Sequence, residues 1–164
     1  VTLVLKKTNA YTLGVGYMSY ETKFDYTGFR GTAGWDWRLI NAYGHHMQLL
    51  LTGSPIVSTG VVRYIIPGRQ PMTDQYEITF GSFYQDTDLV RSMGSQLTLA
   101  YSFVRQQWQH NLGATGLLEK NITRDQTTRW FYPHYGIHYQ HADDPINTAK
   151  GYMMDLDLKF SSIY

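Results

Sequence analysis

The chain has 164 residues, and its 14 Lys and Arg nearly balance 13 Asp and Glu, for a formal net charge of +1. A chain so close to neutral sets up no field to recruit nucleic acid, and its aromatic residues are not interleaved with Lys and Arg as a nucleic-acid surface requires. It has no cysteine, which excludes a disulfide framework, a thiolate metal site and a cysteine nucleophile.

Taken in chain order, the apolar residues recur at every second position. Tyr11, Leu13, Val15 and Tyr17 share one face of a first predicted strand, and Thr12, Gly14 and Gly16 share the other. Phe29, Gly31, Ala33, Trp35, Trp37 and Leu39 alternate with Arg30, Thr32, Gly34, Asp36 and Arg38 in a second. A turn at Asn41-Ala42-Tyr43-Gly44 leads to a third strand carrying Met47, Leu49 and Leu51. The fourth sets Gly60, Val62, Tyr64 and Ile66 against Arg63 and stops at Pro67-Gly68.

The second half continues in the same way. Tyr76, Ile78, Phe80 and Tyr84 alternate with Glu77, Thr79, Gly81 and Gln85, and Leu97, Leu99, Tyr101 and Phe103 alternate with Gln96, Thr98, Ala100 and Ser102. Leu112, Ala114, Gly116 and Leu118 make a weaker strand. Phe131, Pro133, Tyr135, Ile137 and Tyr139 then oppose Trp130, Tyr132, His134, Gly136 and His138. A last strand sets Tyr152, Met154, Leu156, Leu158 and Phe160 against Met153, Asp155, Asp157 and Lys159. The pattern predicts an all-β antiparallel meander of about nine strands, each roughly ten residues long.

Strands in soluble proteins usually run about five to six residues, whereas about ten suffice to cross a membrane at a tilt. The apolar faces carry Tyr and Trp near the strand ends, as an aromatic girdle does, and the opposite faces carry Gly, Ser, Thr and Gln, which suit a wet lumen. No run of about 18 apolar residues is present to make a membrane-crossing helix. The expectation is therefore an incomplete transmembrane β-barrel, about nine strands of a larger one, since strands in lipid must pair on both sides. Any targeting segment is expected outside these residues.

Several stretches resemble a known family in order and spacing. Thr12-Leu13-Gly14-Val15-Gly16-Tyr17 resembles the first barrel strand of the bacterial surface-antigen barrels, the outer-membrane protein assembly superfamily. Gly31-Thr32-Ala33-Gly34-Trp35 with Asn41-Ala42-Tyr43-Gly44-His45 resembles its second strand, turn and third strand. Tyr64-Ile65-Ile66-Pro67-Gly68-Arg69-Gln70-Pro71 resembles the fourth strand and its turn, Thr73-Asp74-Gln75-Tyr76 the start of the fifth, and Asp143-Asp144-Pro145 leading to Gly151-Tyr152 the approach to mid-barrel. The likeness is strongest to the family's translocation and assembly module branch.

The resemblance implies a barrel of about sixteen strands behind periplasmic transport-associated domains. It implies residues 1–8 as the tail of such a domain, with Val1 to Leu5 its last strand, and 9–164 as the N-terminal half of the barrel. It implies an outer-membrane location, membrane lipids and client outer-membrane proteins such as autotransporters as partners, a periplasm-spanning partner protein, and no cofactor. The family's transport-associated domains and its later lumen-locking Arg-Gly loop have no counterpart in these residues. On this reading the first strand, Tyr11, Thr12, Leu13, Gly14, Val15, Gly16, Tyr17 and Met18, is a seam that opens to a client strand by β-augmentation. Gly14 and Gly16 then either weaken that seam, having no side chains to interlock, or relieve curvature in a bent sheet.

The remaining candidates for chemistry are weaker. His45 and His46 point to opposite faces of a strand, as do His138 and His141, while His134 and His138 share a face but lie roughly 13 Å apart. No shared metal site is expected from such spacing. Asp155 and Asp157 lie roughly 6.6 Å apart on one face, a separation that suits acid–base work on a glycoside, but with Lys159 they read as a lumen-lining row. Asn121-Ile122-Thr123 is a glycosylation sequon that reads as an accident in a bacterial loop, and no nucleophile elbow or phosphate-binding loop occurs. No enzymatic constellation is expected. The alternatives are a passive outer-membrane pore or structural barrel, and a soluble β-sandwich that binds a ligand through its aromatic residues.

Overall fold

The computed structural model describes residues 9–20, 26–87, 89–142 and 151–163, and the expected strand in residues 1–5 lies outside them. The described chain is all β. Its strands are β1 (Asn9–Tyr20), β2 (Tyr26–Trp37), β3 (His46–Gly53), β4 (Val57–Pro67), β5 (Gln75–Asp86), β6 (Arg91–Arg105), β7 (Trp108–Asn121), β8 (Gln126–Ala142), β9 (Gly151–Lys159) and β10 (Ser162–Ile163). Each of β1 to β8 pairs antiparallel with the next, and β8 carries both β9 and β10 on its far side. The result is one open meander, as the alternation predicts.

The short β10 is the continuation of β9. Lys159 stands opposite His134 and Ser162 opposite Phe131, so the register does not change between them. The ladder lapses at Pro133, which has no N–H to give, although its carbonyl still accepts from the Phe160 N–H at 3.1 Å.

From β1 to β9 the strands run from 8 to 17 residues, long for a soluble sheet. β7 has the weakest alternation, yet it forms 14 residues of strand. Its pairing explains this, for it is matched along its whole length from Trp108 opposite Arg105 to Asn121 opposite Ser92, with β8 equally extended on its other side. β2 stops at Trp37, two residues short of Leu39, because the chain turns there: Asn41 Oδ1 accepts from the Tyr43 N–H at 3.0 Å, and Gly44 takes φ 79°.

Opposed residues of an antiparallel ladder share a face, so the registers sort side chains over the whole sheet. One row runs Tyr11, Trp35, Leu49, Val62, Phe80, Leu97, Gly116, Phe131, and the next runs Trp37, Met47, Tyr64, Ile78, Leu99, Ala114, Pro133. These rows make an apolar face that crosses every strand. Near one end of the strands this face is lined with stacked rings, among them Tyr76 on Tyr101 at 4.6 Å, Phe103 on His110 at 4.7 Å and Trp35 on Trp37 at 5.3 Å.

The other face carries the row Asp36, Gln48, Arg63, Thr79, Thr98, Thr115, Tyr132. It is less purely polar than the alternation alone suggests, since Leu50, Val61, Leu117 and Trp130 form part of its adjacent row. The enclosed polar side chains Ser92 and Thr115 both lie on this side, where Thr98 and Thr115 share a hydrogen bond of 2.9 Å and Arg63 pairs with Glu77 at 2.8 Å.

Among the described residues no second layer packs on either face. Among the described residues no hydrophobic side chain is buried, and Leu13 and Val15 are 86% and 85% exposed. The accessible surface of 12528 Å² is half again the roughly 8,300 Å² expected of a folded monomer of this mass. A water-soluble domain needs a second layer to close a core, and this sheet has none among the described residues.

Two glycines of the polar face are covered by rings from the neighbouring strand. The Phe83 ring lies over Gly94 on β6, and the His134 ring lies over Gly113 on β7. A Cβ on Gly94 would come within 2.6 Å of Phe83 and 2.8 Å of the Leu118 carbonyl oxygen, which is backbone and does not yield. The ring fills the space that the glycine leaves and pins the β5–β6 register. Gly94→Ala is therefore expected to cost about 1–3 kcal/mol through overpacking, read as a lower denaturant midpoint of the folded protein.

Candidate functional site

β1 is the edge of the sheet. Its twelve residues pair with β2 from Asn9 opposite Trp37 to Tyr20 opposite Tyr26, and among the described residues no strand pairs with its other side. Tyr11, Thr12, Leu13, Gly14, Val15, Gly16, Tyr17 and Met18 all fall in this ladder, with Met18 opposite Gly28. The sequence-predicted seam is thus one continuous strand with a free row of N–H and C=O groups, the template that an incoming strand extends.

Among the described residues two ring contacts clasp β1. Tyr11 stacks on Trp35 at 6.1 Å and Tyr17 meets Phe29 edge-on at 5.3 Å. Between these clasps the apolar face is thin: Leu13 and Val15 border a hollow of about 460 Å³ whose floor includes Gly31, Ala33 and Gly53. Cross-strand contacts are the unit of sheet stabilisation, so the middle of β1 is held chiefly by its backbone ladder.

The two glycines of this strand differ from Gly94 and Gly113. A Cβ on Gly14 would sit at an ordinary 3.8 Å from Thr32, and one on Gly16 would meet nothing within 4 Å. Among the described glycines only Gly44 has a positive φ. Neither close approach nor backbone conformation demands glycine at 14 or 16. What the two provide is a bare polar side at the free edge.

The other candidates resolve into paired structural groups. His45 bonds Tyr64 Oη at 2.7 Å, while His46 turns to the opposite side to Asp36, which also takes Arg38 at 2.8 Å. His138 bonds Asp155 at 2.5 Å, and Asp157 pairs with Lys159 at 3.1 Å, so each carboxylate of the possible acid–base pair has its own partner. These groups line a polar cavity of about 620 Å³ with Asn111, Gln109 and His134. The His141 side chain lies outside the described set, though its backbone stands opposite Tyr152. Among the described residues no three His, Asp or Glu side chains converge to hold a metal.

The sequon is a turn staple. Asn121 Oδ1 accepts from the Arg124 N–H at 3.0 Å, and Thr123 Oγ1 accepts from the Arg91 N–H at 2.8 Å, tying the β7–β8 turn to the start of β6. The alternation alone does not reveal the His45–Tyr64 and His110–Tyr135 bonds, which join neighbouring strands at 2.7 and 2.8 Å. The signal lies in the registers that set β3 against β4 and β7 against β8.

Because both positions have room, Gly14→Ala and Gly16→Ala are each expected to leave stability within about 0.5 kcal/mol of the parent, or slightly above it. Unfolding midpoints measured beside Gly94→Ala separate the edge glycines from the packed ones. In comparison with known proteins, no family model matches this chain, and no curated protein matches it either.

Proposed function

We propose that this chain is the N-terminal half of an outer-membrane barrel of the surface-antigen assembly family, nearest its translocation and assembly module branch. On this reading the barrel helps to insert or secrete other outer-membrane proteins, autotransporters among them, and performs no chemical step itself. The observation that carries the reading is a single-layer sheet whose apolar face crosses β1 to β8 with no side chain buried on it among the described residues. Water does not tolerate so large a continuous apolar surface, whereas acyl chains are as apolar as the side chains they would meet. Stacked rings at the strand ends suit the membrane interface, where an apolar body and a polar tip are both accommodated.

The assembly role rests on β1. Its free backbone edge offers a client strand the hydrogen bonds that lipid cannot supply, and its weak side-chain clasps allow a neighbour to be exchanged. Membrane lipids, client barrels and a periplasm-spanning partner are the partners of this reading, with no cofactor and no nucleic acid.

Three measurements test it. Isolated membranes washed with alkaline carbonate should retain the protein and release it only with detergent. A protein that stays monodisperse without detergent would be the soluble ligand-binding sandwich instead. Single cysteines at Thr12 or Gly14 should then form disulfides with a cysteine in a client's terminal strand during its insertion, and Gly14→Val should slow that insertion without lowering stability. A membrane-embedded protein that gives no such crosslink is a passive pore or structural barrel.

A further inference from the structure

One part of the apolar face is hollow and edged with positive charge. The ladder row Leu51, Gly60, Ser82, Ser95, Leu118, Arg129 passes from large residues to small ones and back again. Gly60, Ser82 and Ser95 form the floor of a trough of about 740 Å³, and Tyr84 and Met93 stand along the side nearer the strand ends. At one end of the trough are Lys120 and Arg129. Lys120 stands opposite Thr127 and is the diagonal neighbour of Arg129, about 7–8 Å away between Cα atoms and on the same face, a separation within the span of two long side chains.

Among the described residues neither cation holds a close ion pair. Among the described residues Arg129 has no ion pair. Lys120 has only a long 3.7 Å contact to Asp125, whose side chain is 90% exposed. The nearby carboxylate of Asp86 is taken by Arg91 at 2.8 Å. Two cations at the end of a hollow in an apolar face complement a molecule whose anion and apolar chain are joined.

We propose that this trough binds a phospholipid of the anionic class, one acyl chain lying over Gly60, Ser82 and Ser95 and the phosphate held between Lys120 and Arg129. The proposal rests on the reading above, that the apolar face meets lipid. From Gly60 on β4 to Leu118 on β7, within its walls, the trough extends across about 14 Å of sheet, long enough to seat much of an extended chain. Each cation near an anionic headgroup contributes roughly fivefold in affinity.

The full protein is purified in a neutral detergent and titrated with phosphatidylglycerol or with phosphatidylcholine of the same acyl chains, bound lipid being counted by native mass spectrometry. Phosphatidylglycerol is expected to bind at least about tenfold more tightly. Lys120→Gln with Arg129→Gln should abolish that preference, Lys120→Arg should keep it, and Ser95→Leu should weaken both lipids by filling the floor. The rim substitutions touch no packed residue, so they remain informative if Ser95→Leu fails to fold. Equal affinity for the two lipids, or a preference that survives loss of both cations, overturns the proposal. So does competition by free glycerol phosphate as effective as that by the lipid, which would mark a phosphate site and no lipid site. A protein that needs no detergent at all would instead overturn the membrane reading beneath it.

Discussion

Everything in this molecule depends on the antiparallel backbone ladder. Each strand from β2 to β8 has its backbone groups paired on both sides, and among the described residues no buried hydrophobic core holds the strands together. A ladder alone does not choose its register, because a slip of one residue keeps the hydrogen bonds while exchanging the two faces. The choice is made by side-chain pairs on the polar face. Phe83 over Gly94, Thr98 with Thr115, and Arg63 with Glu77 each fit only one alignment of neighbouring strands. A slip would strand the ring against a side chain and carry Arg63 onto the apolar face. The polar face thus specifies the alignment, and the apolar face supplies the surface that the alignment displays.

That division explains what could be read in the sequence. Strict alternation in segments such as Phe29 to Leu39 and Leu97 to Phe103 located the strands, because a period of two survives whatever the strand packs against. The meander followed from turn residues, clearest at Asn41 to Gly44 and Pro67-Gly68. Strand ends were less legible. β7 reads weakly because Gly113 and Gly116 interrupt its apolar row, and only the long strands on either side show why it pairs throughout. Leu50 and Leu117 also escape the pattern, for an apolar residue on the polar side looks the same in sequence as a slip.

The sites were legible in proportion to how local they are. In sequence a seam at β1 follows only from the family resemblance, since neither its alternation nor its glycines distinguish an edge strand from an inner one. The roles of Asn121 and Thr123 could not, because Thr123 is bound to a backbone group 32 residues away. The pairing of Asp155 with His138 and of Asp157 with Lys159 likewise depends on which residues β8 sets against β9. The trough is harder still to see, since its floor comes from three strands that each contribute a single small residue.

Small residues therefore do three different things in one sheet, and what stands beside each decides which. Gly94 and Gly113 are covered by rings, so their missing side chains lock the fold. Gly14 and Gly16 lie at a free edge with room beside them, so theirs leave the edge open. Gly60, Ser82 and Ser95 face outward with no ring laid over them, so theirs leave a hollow. A sheet that needed only to persist would fill the second and third kinds of space, as apolar contact there would add stability. Leaving them unfilled forgoes that contact at two places, which on the proposed reading are where a client strand in one case and a lipid chain in the other provide it.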